Sequence, residues 1–276
     1  MRPVVVGVTA DGGTRQAVTL AAREALKRGL PLRLVHGLWL SQYGGRSTAL
    51  TCQRVRDGIR EQLPWLAREA RIDVVDADAV SALARAGDSA ALVVVGAGPA
   101  GDLTLGSVSL GCLVRTACPV MIVPTTASGG QGPRRIVVGV DGGPASLSAL
   151  AWAVSQANQS AAALEVVGVQ VPEPVLRGLL VSSGAIRLPA HVRLAQSTEQ
   201  VAEGLSADDL LVLGAQGHRS VLSLLLASNG DVAALRSPCP TVVVRAGQAR
   251  RELHVREDQR PVATGPSTLV STARPC

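Results

Sequence analysis

The sequence predicts a duplicated α/β protein, with two units in one chain and each unit a parallel sheet covered by helices. Three observations carry this. First, the chain repeats its apolar runs. Val4-Val5-Val6-Gly7-Val8-Thr9 matches Ile136-Val137-Val138-Gly139-Val140-Asp141. Leu92-Val93-Val94-Val95-Gly96 matches Leu210-Leu211-Val212-Leu213-Gly214, and Cys118-Pro119-Val120-Met121-Ile122-Val123 matches Cys239-Pro240-Thr241-Val242-Val243-Val244. A repeat this long is a duplicated domain, since solenoid units recur every ~20–50 residues. Second, short β-branched runs alternate with helical patterns, as βαβ units require. Third, hydrophobic residues make up 47% of the chain while aromatics make up 1% and Phe is absent. The cores must therefore be built from Val, Leu, Ile and Ala, the residues of strands buried on both faces.

In order along the chain, repeat one opens with a strand over 3–8. A helix follows from Thr14 to Arg28, with Ala17, Ala21 and Ala25 on one face and Gly29 as its stop. Residues 32–36 form a second strand and 47–70 a long helix rich in Arg and Glu. A third strand covers 72–75, a short helix 79–86 and a fourth strand 91–95. A Gly-rich loop then leads to a helix near 107–116 and a fifth strand over 119–123. Ala127-Ser128-Gly129-Gly130-Gln131-Gly132-Pro133 is a linker by composition.

Repeat two restarts with strand 135–140, helix 146–157 and strand 164–169. Leu147, Leu150, Ala151 and Val154 supply the apolar stripe of that helix. The offset between repeats is 132 residues at Gly7 and Gly139, 118 at Gly96 and Gly214, and 121 at Cys118 and Cys239. Repeat two has thus lost residues around the long helix, and repeat one has a loop shorter by three after its fourth strand. The domains are expected at 1–126 and 134–246. The tail over 247–276 is polar and aperiodic, and is expected to be disordered.

The net charge is +6, from 27 basic and 21 acidic residues, and Lys27 is the only lysine. Half of the excess lies from Arg245 onward, and no basic stripe interleaves with aromatics, so nucleic acid is not an expected partner. No run reaches the ~18 apolar residues of a membrane helix. The N-terminus is too short in apolar residues for a signal peptide. The expected location is therefore cytoplasmic, with Cys52, Cys112, Cys118, Cys239 and Cys276 reduced.

In an open parallel sheet, ligands bind beyond the carboxyl ends of strands where the strand order reverses. The turns after the first and fourth strands are therefore the candidate site. In repeat two these hold Asp141 and the loop from Gly214 through Gly217 to Ser228 and Asn229. Glycines let a backbone approach a phosphate, Ser228 is a donor or cap, and Asp141 accepts from a ribose hydroxyl or a base edge. A purely structural reading stays open: Gly214 and Gly217 shape a turn, Ser228 caps a helix, and Asp141 makes an Asx-turn.

Gly96-Ala97-Gly98-Pro99-Ala100-Gly101 matches the dinucleotide fingerprint in spacing only. It follows the fourth strand, and Pro99 disfavours a helix there. There is no Gly-Lys pair for a phosphate loop of the Walker type. His36, His191, His218 and His254 lack metal-ligand spacing, and His36 reads as a strand-end packing residue. No catalytic constellation is evident.

These motifs resemble those of tandem universal stress proteins of the actinobacterial type over about residues 1–246. The resemblance implies two Rossmann-like domains of the adenine nucleotide alpha hydrolase kind. Each would have a five-stranded parallel sheet of order 3-2-1-4-5, and the domains would pair through their fifth strands as an intramolecular pseudo-dimer, with a homodimer of chains left open. The family's nucleotide pattern is Gly, two residues, Gly, nine residues, Gly, then Ser or Thr. Repeat two matches it with Gly214, Gly217, Ala227 in place of the third Gly, and Ser228. Its strand-one acid falls on Asp141 and its backbone contact to adenine on Val169. Repeat one has Thr9 at the acid position and keeps Gly96, Gly106 and Ser107, a degenerate second site. The implied ligand is ATP or another adenine nucleotide, held mainly by repeat two, with Mg2+ only as its counter-ion. The implied function is regulation of a stress or dormancy response through a protein partner, not enzymatic turnover beyond slow ATP hydrolysis. A nucleotide-free interaction module of the same fold is the alternative.

Overall fold

Strand β1 (Val4–Gly7) shows how the two cores arise. Val4, Val5 and Val6 are all fully buried. Because side chains alternate across a strand, Val4 and Val6 enter one hydrophobic cluster and Val5 another on the opposite face. Repeat two does the same from β6 (Arg135–Val140): Ile136, Val138 and Val140 join the first cluster, and Val137 lies in a third. One face of the sheet therefore carries a core common to both repeats.

A computed structural model describes residues 1–10, 13–38, 48–64, 66, 70–98, 106–127, 132–184, 189–197, 199–215 and 237–247. The remaining elements of repeat one are α1 (Arg15–Arg28), β2 (Leu32–Gly37), α2 (Thr48–Gln62), β3 (Arg71–Val75), α3 (Ala79–Gly87), β4 (Leu92–Gly96), α4 (Ser107–Arg115) and β5 (Val120–Val123). Repeat two continues with α5 (Pro144–Ser160), β7 (Ala163–Val169), α6 (Glu173–Ser182), β8 (Ala190–Ala195), β9 (Asp209–Ala215) and β10 (Thr241–Arg245). The strands form one sheet of order β3-β2-β1-β4-β5-β10-β9-β6-β7-β8. All pairs are parallel except β5 with β10, which run antiparallel and match Thr241 to Ile122 and Val243 to Val120. The pairing covers one edge of each half, which would otherwise present unpaired backbone groups.

Side chains reinforce this seam. Gln156 of α5 donates to Glu24 of α1 at 2.7 Å, and Arg28 of α1 donates to Gln156 at 3.0 Å. The Arg28 guanidinium also lies 5.2 Å from the centre of the Trp152 ring, within cation–π range. Arg245 of β10 donates to the carbonyls of Leu113 and Val114 and so caps α4 of repeat one.

The helices depart from the sequence pattern in three places. The long helix expected over 47–70 ends at Gln62, because Pro64 disfavours helical backbone at Leu63 and has no N–H to continue the ladder. Helix α5 begins two residues early, with Pro144 in its first turn, where a missing N–H costs nothing. Leu147, expected on the buried stripe of α5, is 37% exposed. Leu150 and Val154 of that stripe are buried as expected, and the buried face also takes in Ala145, Ala149, Trp152, Ala153 and Gln156. The stripe expected on α1 is buried: Ala17, Ala21 and Ala25 face the core.

Candidate functional site at the strand-order reversal

In each half the chain leaves the central strand toward one side of the sheet and the fourth strand toward the other. The carboxyl ends of β1 and β4, and of β6 and β9, therefore frame two matching crevices.

Asp141 follows β6 and is exposed. Its Oδ1 accepts from the Gly143 N–H at 2.8 Å and from the Ser146 hydroxyl at 2.6 Å. The Asp141 N–H in turn donates to Ser146 Oγ at 3.3 Å. Gly142, at φ +81°, supplies the left-handed step that turns the chain from strand to helix. So the Asx-turn expected of Asp141 is present. It uses only one carboxylate oxygen: among the described residues, Oδ2 accepts no hydrogen bond.

Gly214, on β9, faces the same helix start. A Cβ there would lie 2.5 Å from the carbonyl carbon of Ala145 and from the Ser146 N. Only glycine lets β9 approach the first turn of α5 this closely. Val169 ends β7 and pairs with Ala195 of β8. The next residue, Gln170, holds φ +58°, and its side chain donates to the Gln196 carbonyl at 3.3 Å. Gly217, Ser228 and Asn229, with Ala227, lie outside the described residues.

At the first crevice, side chains hydrogen-bond to the backbone at the strand end. The Thr9 N–H donates to Thr14 Oγ1 at 3.3 Å, matching the bond from Asp141 to Ser146. Thr9 brings no carboxylate. His36 Nδ1 lies 2.8 Å from the Val8 carbonyl. A carbonyl only accepts, so Nδ1 carries the proton. Gln62 of α2 donates to the Ala10 carbonyl at 2.5 Å, and Ile59, Gln62 and Leu63 line the cleft beside Val8, Thr9 and Thr14. Gly106 gives its N–H to the Ala97 carbonyl at 2.8 Å, and Gly98 at φ +122° sits against it. Ser107 is the first residue of α4 and is exposed. Gly96 is not crowded: the nearest atom to a Cβ there is Thr14 Cγ2 at 4.0 Å.

Sequence reasoning missed three participants. Ser146 and Thr14 hold the same offset from Asp141 and Thr9, so aligning the two copies shows a hydroxyl common to both. Gln62 gives no such signal, because its reach depends on how α2 packs. His36 was expected only to pack, and it ties β2 to the end of β1.

Among the described residues no group of three or more His, Cys, Asp or Glu is placed to hold a metal, and no helix is long and apolar enough to cross a membrane. Burial pushes the Cys112 thiol up to about 12 and raises that of Cys239 as well. Both are thus held as neutral thiols rather than reactive thiolates.

The universal stress protein family model matches residues 1–124 and 132–208. The chain belongs to the universal stress protein family. A universal stress protein of Mycobacterium tuberculosis is 28% identical over 288 residues, covering 88% of this chain and 96% of the relative. One from Mycolicibacterium smegmatis is 26% identical over 283 residues with the same coverage. The crystal structure of a universal stress protein from Archaeoglobus fulgidus superposes with a TM-score of 0.61 at 18% identity, covering 89% of this chain and 97% of that one. That likeness shows the α/β, Rossmann-like fold across both halves.

Proposed function

We propose that this universal stress protein is a cytoplasmic, nucleotide-responsive regulator that holds one adenine nucleotide, ATP, at the β6–β9 crevice of repeat two. Its occupancy is read by a protein partner during stress or dormancy, and turnover of the nucleotide is not its task. One observation carries the reading. Repeat two offers a carboxylate oxygen without a partner among the described residues at the strand-order reversal, while the matching end of repeat one has Thr9 in place of the acid, with His36 and Gln62 bonded to the carbonyls beside it. The chemistry fits a nucleoside: Asp141 Oδ2 accepts from a ribose hydroxyl or an exocyclic amine, beside the place where glycine at 214 lets β9 lie against the first turn of α5. Mg2+ enters only as the counter-ion of the phosphates.

The test is the nucleotide content of the purified full-length chain. Acid release followed by chromatography is expected to yield close to one adenine nucleotide per chain. A yield near two would mean that repeat one also binds. A yield of none, together with no heat on titrating ATP, would favour the second reading, a nucleotide-free interaction module, which the absence of a carboxylate at Thr9 in repeat one supports.

A further inference from the structure

The bonds around Asp141 carry one step more, and that step rests on the nucleotide reading above. The geometry points to Ser146 as the positioning residue of the repeat-two site. It fixes the Asp141 carboxylate so that Oδ1 is committed to the protein and Oδ2 alone is presented to the ligand.

Ser146 is buried, in the first turn of α5, so its hydroxyl has few alternatives. That hydroxyl has one proton and two acceptors within reach, Asp141 Oδ1 at 2.6 Å and the Gly143 carbonyl at 3.0 Å. The nearer and charged oxygen takes it, because hydrogen bonds to ionised acceptors are shorter and stronger. Ser146 Oγ in turn accepts from the Asp141 N–H at 3.3 Å, so a two-way clasp forms between the two residues. The Gly143 N–H adds a second donor to Oδ1. Two donors on one oxygen fix the carboxylate's rotation, which a single bond would not.

Repeat one isolates what belongs to the backbone. Thr14 keeps the bond to the Thr9 N–H, so the clasp itself is a device for starting the helix. In repeat two a carboxylate is added to it. What Oδ2 then selects is a hydrogen-bond donor. A phosphate oxygen, which only accepts, is repelled there, so the Asp141 end of the crevice takes the nucleoside and not the phosphates.

The experiment is calorimetry on the full chain with adenosine and ATP, in wild type, Ser146→Ala, Ser146→Cys and Ser146→Thr, with Thr14→Ala as the structural control. Ser146→Ala and Ser146→Cys are expected to weaken adenosine and ATP alike by about tenfold, ~1.4 kcal/mol. A thiol keeps the size of the group but donates poorly. Ser146→Thr is expected to bind within about twofold of wild type, since a threonine already serves at the matching position. Thr14→Ala removes the matching bond to the backbone N–H in repeat one and is expected to leave adenosine and ATP binding within about twofold of wild type. Inosine and 2′,3′-dideoxyadenosine tell which donor meets Oδ2: the analogue lacking it loses affinity in wild type and loses little more in Ser146→Ala. Unchanged affinity in Ser146→Ala and Ser146→Cys overturns the inference while leaving the nucleotide reading intact. So does failure of threonine to restore binding. If wild type binds neither adenosine nor ATP, the nucleotide reading falls and the positioning role falls with it.

Discussion

Repeat one ends its central strand in Thr9, repeat two in Asp141, and the neighbourhoods of the two residues differ as much as the residues do. Around Thr9, a histidine from β2 and a glutamine from α2 hydrogen-bond to the carbonyls at the strand end. Around Asp141, the residue matching His36 is Gly168, where a Cβ would meet Leu176 Cδ1 at 2.2 Å. There an apolar side chain from α6 packs where repeat one has a polar tie. The lesson is that a duplicated fold keeps its sheet while each copy decides separately what stands at the carboxyl ends of its strands. Burial fixes the strands, whereas the ends face solvent and are free to diverge.

The comparison is sharpened first at the opposite end of the strands. Arg135 bridges Asp209 and Glu165 at 2.7 and 2.8 Å, and Arg193 joins Glu165 at 2.8 Å, a chain of charges across four strands. Burial pushes the Asp209 carboxyl up, but the Arg135 guanidinium and the Ser206 N–H more than offset it, and its pKa lies below 3.8. Repeat one has the smaller set Arg33, Asp73 and Arg71, in which Arg71 is 75% exposed. Asp209→Asn is expected to cost about 3 kcal/mol at pH 7, the range for breaking a buried pair. Asp73→Asn is expected to cost less, about 1 kcal/mol, because Asp73 is less deeply buried than Asp209 and one of its two partners, Arg71, is exposed. A depressed carboxylate stabilises the fold above its unfolded value and loses that contribution as pH falls through its folded value. The deficit of Asp209→Asn should therefore shrink in urea titrations run below pH 3.8. Equal deficits for the two variants at pH 7, or a deficit that persists in acid, would break the contrast.

Next comes binding. Asp141→Ala is expected to lose about 1.5–3 kcal/mol of ATP affinity, tenfold or more, as removal of a charge-assisted hydrogen bond does. Thr9→Ala is expected to change it by less than twofold. Calorimetry that finds the two variants alike assigns the ligand to the wrong repeat.

The two strand-four glycines give a third contrast. Gly214→Ala forces a Cβ into the backbone of Ala145 and Ser146, and overpacking of this kind costs about 1–3 kcal/mol. Gly96→Ala meets nothing closer than 4.0 Å and is expected to be neutral or slightly stabilising. Denaturation midpoints that fall equally for both would show that the close approach of β9 to α5 is not specific to repeat two.

The smallest effect concerns the helix ends that match. Helix α1 stops at Gly29 with φ +61°, and α5 stops at Ala161 with φ +53°. A left-handed cap strains a residue with a Cβ. Ala161→Gly is expected to stabilise by about 0.5–1 kcal/mol, and Gly29→Ala to destabilise by a similar amount. The same sign for both substitutions would contradict the shared cap geometry.

The sequence by itself determined the duplication, the strands and the buried face of α1. Those rest on local periodicity and on the need to bury Val and Leu, which any compact arrangement of the chain must satisfy. It also placed Asp141 and Gly214 in the candidate site, because strand ends and turns are marked by residue type. It did not reveal why Gly214 is glycine, that Leu147 faces outward, or that Gln62 reaches Ala10. Each of these depends on the distance and rotation between elements far apart in the chain. The half-used carboxylate of Asp141 belongs to the same class. Residue types permitted either a turn or a ligand contact there, and only the placement of the Ser146 hydroxyl beside one oxygen gave the turn Oδ1 and left Oδ2 for something else.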